Sequence, residues 1–227
     1  MDQHTPATHL PAWDRVLVVV AHPDDESFGL GAVIDKFTSG QSEVHVLTLT
    51  HGEASTLGGE IDDLAAERRQ ELLRASEILN ISSVELRDWP DGGLEHADEH
   101  SVVEDIKRAI AKHQPDGLLV FERQGVNRHP DHAAATARAL SAVAGTTIPV
   151  LAWTVTKEVA RQLNAEIGSI MHGDLPEDID FTITVSREKQ LRAINAHVSQ
   201  VVPGGLLFRR LELLGDKESL RWLQAPA

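Results

Sequence analysis

The chain contains no cysteine, which excludes disulfides, thiolate metal ligands, a cysteine nucleophile and the Cys-rich secreted scaffold. Positive charge is also scarce, with 21 Lys and Arg against 35 Asp and Glu and a formal net charge of -14. Such a surface repels phosphate backbones and anionic lipid, so neither nucleic acid nor a membrane is an expected partner. Long apolar runs are missing too. The N-terminal run from Val16 to Ala21 is too short for a signal-peptide core or a membrane span, and a soluble protein of the cytoplasm is the default expectation. No internal repeat or low-complexity tract interrupts the 227 residues, of which 41% are hydrophobic, so one core and one domain are expected.

What is present alternates between strand and helix patterns. Residues 1–14 mix polar residues with two prolines and read as a flexible lead-in, leaving 15–227 as the folded domain. RVLVVVA from Arg15 and EVHVLTLT from Glu43 to Thr50 are apolar, β-branched runs, as in strands covered on both faces. VELRDWP (84–90), GLLVFE (117–122), PVLAWTV (149–155) and FTITVS (181–186) extend the strand series. Helical spacing covers 29–39, 62–79, 102–113, 131–144 and 187–201, while 156–180 is a polar stretch with no element assigned. Strands alternating with helices predict a single-domain α/β fold, a Rossmann-like, doubly wound, mostly parallel sheet. Such sheets bind ligands beyond the carboxyl ends of their strands.

Four polar clusters follow four of these strands: AHPDDE, THGE, RDWPDGG and NRHPDH. They therefore fall on one edge of the sheet. His22 and Asp25 on one loop, with one of His129 and His132 on another, supply two imidazole nitrogens and a carboxylate. That set suits zinc with a fourth position left for water, and a cation offsets the repulsion between adjacent acids. Asp24 is then placed beside the water, where it can take a proton. Taken singly, HPDD reads equally as a turn with a helix cap, and Asp131 is well placed to cap the alanine-rich helix after it. The two motifs together, each after a strand, favour a metal. His4, His9, His96, His100 and His113 lie in surface-like contexts, His45 reads as packed, and turn structure accounts for His51 and Glu53 as well as any function does.

AHPDDE, THGE, Arg68-x-x-Glu71, PDGGL, NRHPDH and HVSQ stand here in the order seen in the LmbE-like, or PIG-L-type, zinc-dependent deacetylase superfamily, which the chain resembles over roughly residues 15 to 205. The resemblance implies zinc ligation by His22, Asp25 and His132, with ferrous iron as an alternative occupant. It implies Asp24 as general base, and His129 as the group that steadies the oxyanion or protonates the leaving amine, with Asp131 orienting it. Arg68 and Asp91 match positions that hold the sugar. One departure stands out: some members use an active-site tyrosine, and this chain has none.

The implied reaction is hydrolysis of an N-acyl group, an acetyl group foremost, from an amino sugar or a sugar-bearing natural-product metabolite, with a homo-oligomeric state left open. Three rival readings follow from the same residues. The superfamily fold is also associated with hydration of an unsaturated acid, for which Arg68, Arg123 and Arg128 would be the cationic clamps. A non-catalytic metal or sugar binder would have no need of Asp24 or His129. A two-His, one-carboxylate iron oxygenase fits His22, an aspartate and His132 but not the α/β pattern.

Overall fold

A computed structural model describes residues 5–57, 59 and 61–226. The first strand, β1 (Arg15–Val20), lies inside the sheet between β2 (Glu43–Thr50) and β4 (Gly117–Phe121), parallel to both. Its side chains alternate between two cores, as a period of two requires. Val16, Val18 and Val20 face one apolar cluster, and Leu17 and Val19, with Ala21 just beyond, face the other. Both faces are covered by helices, which is why the strand reads as an unbroken apolar run.

Between β1 and β2 the chain makes a single helical turn, α1 (Asp25–Phe28), and then α2 (Gly31–Ser39). The helix expected over 29–39 is α2, which begins two residues later, and the separate turn α1 precedes it. Gly29 lies at the break, where a Cβ would sit 2.4 Å from Phe121 Cε1, so only glycine permits this close approach. After β2 come α3 (Leu64–Ile78), β3 (Ser83–Trp89) and α4 (Glu99–His113). After β4 come the short α5 (Gly125–Arg128), α6 (Pro130–Val143) and β5 (Val150–Thr154). The remainder is α7 (Lys157–Ile167), β6 (Phe181–Thr184), α8 (Glu188–Ile194), α9 (Leu206–Leu214) and β7 (Lys217–Gln224).

The strand order is β3-β2-β1-β4-β5-β7-β6, parallel from β3 to β5 and antiparallel for the last two pairings. The mostly parallel, doubly wound sheet is the expected fold. Its topology reverses between β1 and β4, so the crevice at their carboxyl ends receives AHPDDE from one side and NRHPDH from the other.

Three features depart from the sequence reading. The polar stretch 156–180 contains the amphipathic α7, and the C-terminal segment adds α9 and a seventh strand between β5 and β6. The helix expected over 187–201 ends at Ile194, because His197, Ser199 and Gln200 leave the helical path to meet Glu26, Glu71 and Ser55. Within the expected lead-in, Ala7 pairs with Phe181 and Trp13 stacks on Phe37, so residues 5–14 are held against the domain at two points. Among the described residues no helix is long and apolar enough to cross a membrane.

Candidate active site

The loop after β1 folds back on itself. Asp25 Oδ2 accepts from the backbone N–H groups of Ala21 and His22, at 3.1 and 2.9 Å, which turns its other oxygen outward. Asp24 adopts φ 130°, a conformation rare for a residue with a side chain. It is secured there by Glu26, whose Oε2 accepts from Asp24 N–H at 3.0 Å. Glu26 is fully buried and in turn binds His197 Nε2 at 2.8 Å. Burial opposes protonation of His197, but the charge and hydrogen bond of Glu26 keep its pKa raised.

Across the crevice His129 caps α6. Its Nδ1 accepts from Asp131 N–H at 3.3 Å, and Pro130 occupies the first turn, where its missing N–H costs nothing. This brings His132 over Asp25. His132 Nε2 lies 3.1 Å from Asp25 Oδ1 and 3.1 Å from His22 Nδ1, and His22 Nδ1 lies 3.7 Å from Asp25 Oδ2. Two nitrogen ligands on a tetrahedral zinc ion stand roughly 3.3 Å apart. His22 and His132 stand near that separation, with Asp25 reaching one through each of its oxygens. Burial alone would lower the His22 imidazole, but hydrogen bonds with Asp131 and Asp91 and the charges of Asp25 and Asp24 outweigh it and raise its pKa to about 10. Burial would raise Asp25, yet His132 and His22 hold it well below the usual carboxylate range. The carboxylates gathered around the two imidazoles concentrate negative charge here, which a bound cation would offset. The donors present fit a metal.

His22 has a second face. Its Nε2 lies 3.1 Å from Asp91 Oδ1 and 3.3 Å from Asp131 Oδ2. Carboxylates behind an imidazole fix its tautomer and leave the other nitrogen free to ligate. This corrects the role expected for Asp131. Its carboxylate accepts from Gly92 and Leu94 N–H at 2.7 and 3.0 Å and meets His22, so the expected hydrogen bond to the His129 ring is not made. Because Asp131 N–H occupies His129 Nδ1, the neutral His129 ring carries its proton on Nε2. Burial first, then the charges of His132 and His22, lower the His129 pKa. The rings of His22, His129 and His132 also offer nitrogens within 4.8 Å of one another, an alternative ligand group in the same place.

Asp24 stands beside the convergent donors, its carboxyl raised to about 6 by burial against the opposing pull of Arg68. Arg68, expected to hold sugar, is buried. It donates to Asp24 Oδ2 at 2.8 Å, to Pro23 O at 2.5 Å and to Gly52 O at 2.7 Å. Gly52 of THGE has φ 67°, and a Cβ there would lie 1.9 Å from Arg68 Nη1. The motif thus leaves room for the guanidinium. Its neighbours are structural: His51 meets exposed Asp88 and Glu53 accepts from Asp91 N–H. Asp91, expected beside Arg68 on the sugar, faces His22 and accepts from Ala54 N–H at 2.8 Å.

These groups open into a cavity of about 370 Å³ whose walls include Phe28, Phe121, Val126, Trp153, Met171 and Arg210. Val126 has φ 58°, rare for a β-branched side chain, and is pinned by Glu122 Oε1, which accepts its N–H at 2.6 Å. Sequence reasoning did not find Arg210. The clamps it named, Arg123 and Arg128, are exposed and lie outside this lining.

Comparison with known proteins places this geometry in context. The family model described as PIG-L, GlcNAc-PI de-N-acetylase, matches residues 17–144. The 1D-myo-inositol 2-acetamido-2-deoxy-α-D-glucopyranoside deacetylase of Mycolicibacterium smegmatis is 28% identical, over 86% of this chain and 83% of that protein. Among solved structures, the N,N'-diacetylchitobiose deacetylase of Pyrococcus horikoshii superposes with a TM-score of 0.69 at 22% identity, covering 94% of this chain and 85% of that one. The 4-carboxy-2-hydroxymuconate hydratase of Pseudomonas putida does so with a TM-score of 0.71 at 19% identity, covering 94% and 98%. At these identities both structures share the fold, and the fold alone does not separate deacetylation from hydration. The family match spans more than half the chain and includes both HPDD and HPDH: this protein belongs to the PIG-L family of GlcNAc-PI de-N-acetylases.

Proposed function

We propose that this chain is a zinc-dependent N-deacetylase acting on an amino sugar or a sugar-bearing metabolite, with the cytoplasm as its place of work. The observation that carries the reading is the approach of His132 Nε2 to 3.1 Å from both His22 Nδ1 and Asp25 Oδ1, with the partly buried carboxyl of Asp24, held by Arg68, at their side. The mixed nitrogen and oxygen set favours zinc, with ferrous iron as the rival occupant. Family membership and the deacetylase relatives support the reaction class.

His22, Asp25 and His132 would hold the ion, which supplies Lewis acidity toward a water and the amide carbonyl. Asp24, steadied by Arg68 and by the Glu26 contact to its N–H, accepts a proton from the attacking water. The water oxygen bonds to the carbonyl carbon while His129 Nε2–H faces the developing negative charge on the carbonyl oxygen. The C–N bond then breaks, and the proton passes to the departing nitrogen. Acetate and a free amine result. Asp91 and Asp131 act through His22 rather than on substrate, fixing which nitrogen it presents.

The test is to incubate the zinc-loaded chain with N-acetylglucosaminides and measure free amine, with an unsaturated dicarboxylic acid in parallel. Amine release without loss of the unsaturated acid is expected. Consumption of the acid alone would replace deacetylation by hydration.

A further inference from the structure

The cavity continues well past the reacting groups. From the His132 ring its wall passes to Phe121, 5.0 Å between centroids, and then to Trp153, 5.6 Å further along. Arg210 closes this arm, its guanidinium carbon 5.0 Å from the Trp153 ring centroid. An acetyl methyl fills only a small part of such an arm. Leu57 and Val202, each close to half exposed, continue the apolar lining toward the mouth.

Arg210 is unusual among the lining groups. Arg68, the other arginine there, is taken up by Asp24. Among the described residues no carboxylate lies within 4.0 Å of Arg210. Its Nη2 donates to Phe28 O at 2.5 Å, and its buried Nε has no acceptor. The nearby carboxylate of Glu218 is already shared by Arg187 and by Trp153 Nε1, the latter at 2.7 Å. Burial lowers Arg210 to about 10, which leaves it cationic at neutral pH. Stacking on an indole offsets only part of the cost of a partly desolvated charge, and an arginine fork suits a planar carboxylate.

We infer that Arg210, at the end of the Phe121–Trp153 wall, is a subsite for a carboxylate carried on an apolar arm of the substrate. The inference rests on the deacetylase reading and narrows its substrate class to acidic, partly apolar N-acyl amino sugars. The carboxylate can sit on the acyl group or on the group attached to the sugar, and the assay separates these sources.

Three glucosamine derivatives are compared in the zinc-loaded enzyme: the N-acetyl phenyl glycoside, its 4-carboxyphenyl counterpart, and the N-glutaryl phenyl glycoside. In wild type, one carboxylate-bearing compound is expected to exceed the neutral one at least tenfold in kcat/KM, and which one identifies the source. In R210Q that ratio collapses to near one. R210K, which keeps the charge but not the planar fork, falls between, and serves alone if R210Q does not fold. No preference in wild type, or the same preference in R210Q, overturns the subsite. Absence of turnover with all three counts against the deacetylase reading instead, and binding then decides the subsite. 4-Phenylbutyrate, but not its amide, should quench tryptophan fluorescence in wild type, with the signal lost in W153F and R210Q. Equal quenching by acid and amide, or quenching retained in R210Q, overturns it.

Discussion

Arg68 Nη2 donates to Asp24 Oδ2 at 2.8 Å, so the arginine of the R-x-x-E pattern is spent on the proposed base. The same guanidinium also holds the carbonyls of Pro23 and Gly52, in the loops after β1 and β2. Asp24 is thereby fixed in a backbone conformation it would not choose. Removing one partner of a buried ion pair leaves the other uncompensated, at a cost of about 3–5 kcal/mol. Arg68→Met is expected to lower the melting temperature clearly and to reduce kcat at least tenfold while zinc stays bound. A normal kcat with a raised KM would return Arg68 to the sugar-holding role.

Gly52→Ala tests the same contact from the opposite side. The added Cβ meets the guanidinium and also sits at φ 67°, two penalties that together cost roughly 2 kcal/mol or more. A lower melting temperature and lower turnover are expected together. An unchanged melt would mean that Arg68 moves aside freely.

The three convergent imidazoles need separation by experiment. His132→Ala should bind zinc weakly, because both of its short contacts, to Asp25 and His22, are lost. His129→Ala should keep a full complement of metal and lose at least a hundredfold in turnover, the usual cost of removing a donor to developing charge. Zinc content after dialysis checks both. Metal loss in His129→Ala would select the three-histidine group instead.

At the β3 edge Glu85 gathers Arg87, His113 and Lys112. Burial would raise its pKa, but these three partners outweigh that and bring it to about 2. A depressed carboxylate stabilises the fold above its unfolded value and loses that contribution as pH falls toward the folded one. Glu85→Gln is therefore expected to cost roughly 1–2 kcal/mol at pH 7, with solvent screening included. By pH 2–3 the difference from wild type should shrink toward zero in denaturant titrations. A difference that stays constant with pH would assign the effect to packing.

The sheet interior was legible because β1, β2 and β4 are covered on both faces and so are dominated by apolar, often β-branched side chains, with Thr48 and Thr50 the buried polar exceptions on β2. The strand ends were legible for the opposite reason, since AHPDDE and NRHPDH interrupt that pattern abruptly. What the sequence hid depends on distant partners. KESLRWLQ mixes charges with apolar residues, yet Glu218 is buried because Arg187 and Trp153 come to it from other elements. HVSQ carries a helical continuation, but Glu26 and Glu71 draw His197 and Ser199 away from it. Asp131 likewise follows His129 in sequence, while its carboxylate is claimed by the 91–94 loop and His22. Arg210 lies in a run of charges and leucines, and only the folded chain brings it over Trp153.

The central claim is that two adjacent aspartates divide the work, Asp25 holding the metal and Asp24 taking the proton. Zinc content and turnover measured side by side in Asp24→Asn and Asp25→Asn test it most directly. Asp24→Asn is expected to retain zinc and lose at least a hundredfold in kcat, since the amide keeps the shape but cannot accept the proton. Asp25→Asn is expected to lose zinc itself. Equal zinc loss in both variants, or near-normal turnover in zinc-replete Asp24→Asn, would contradict the assignment.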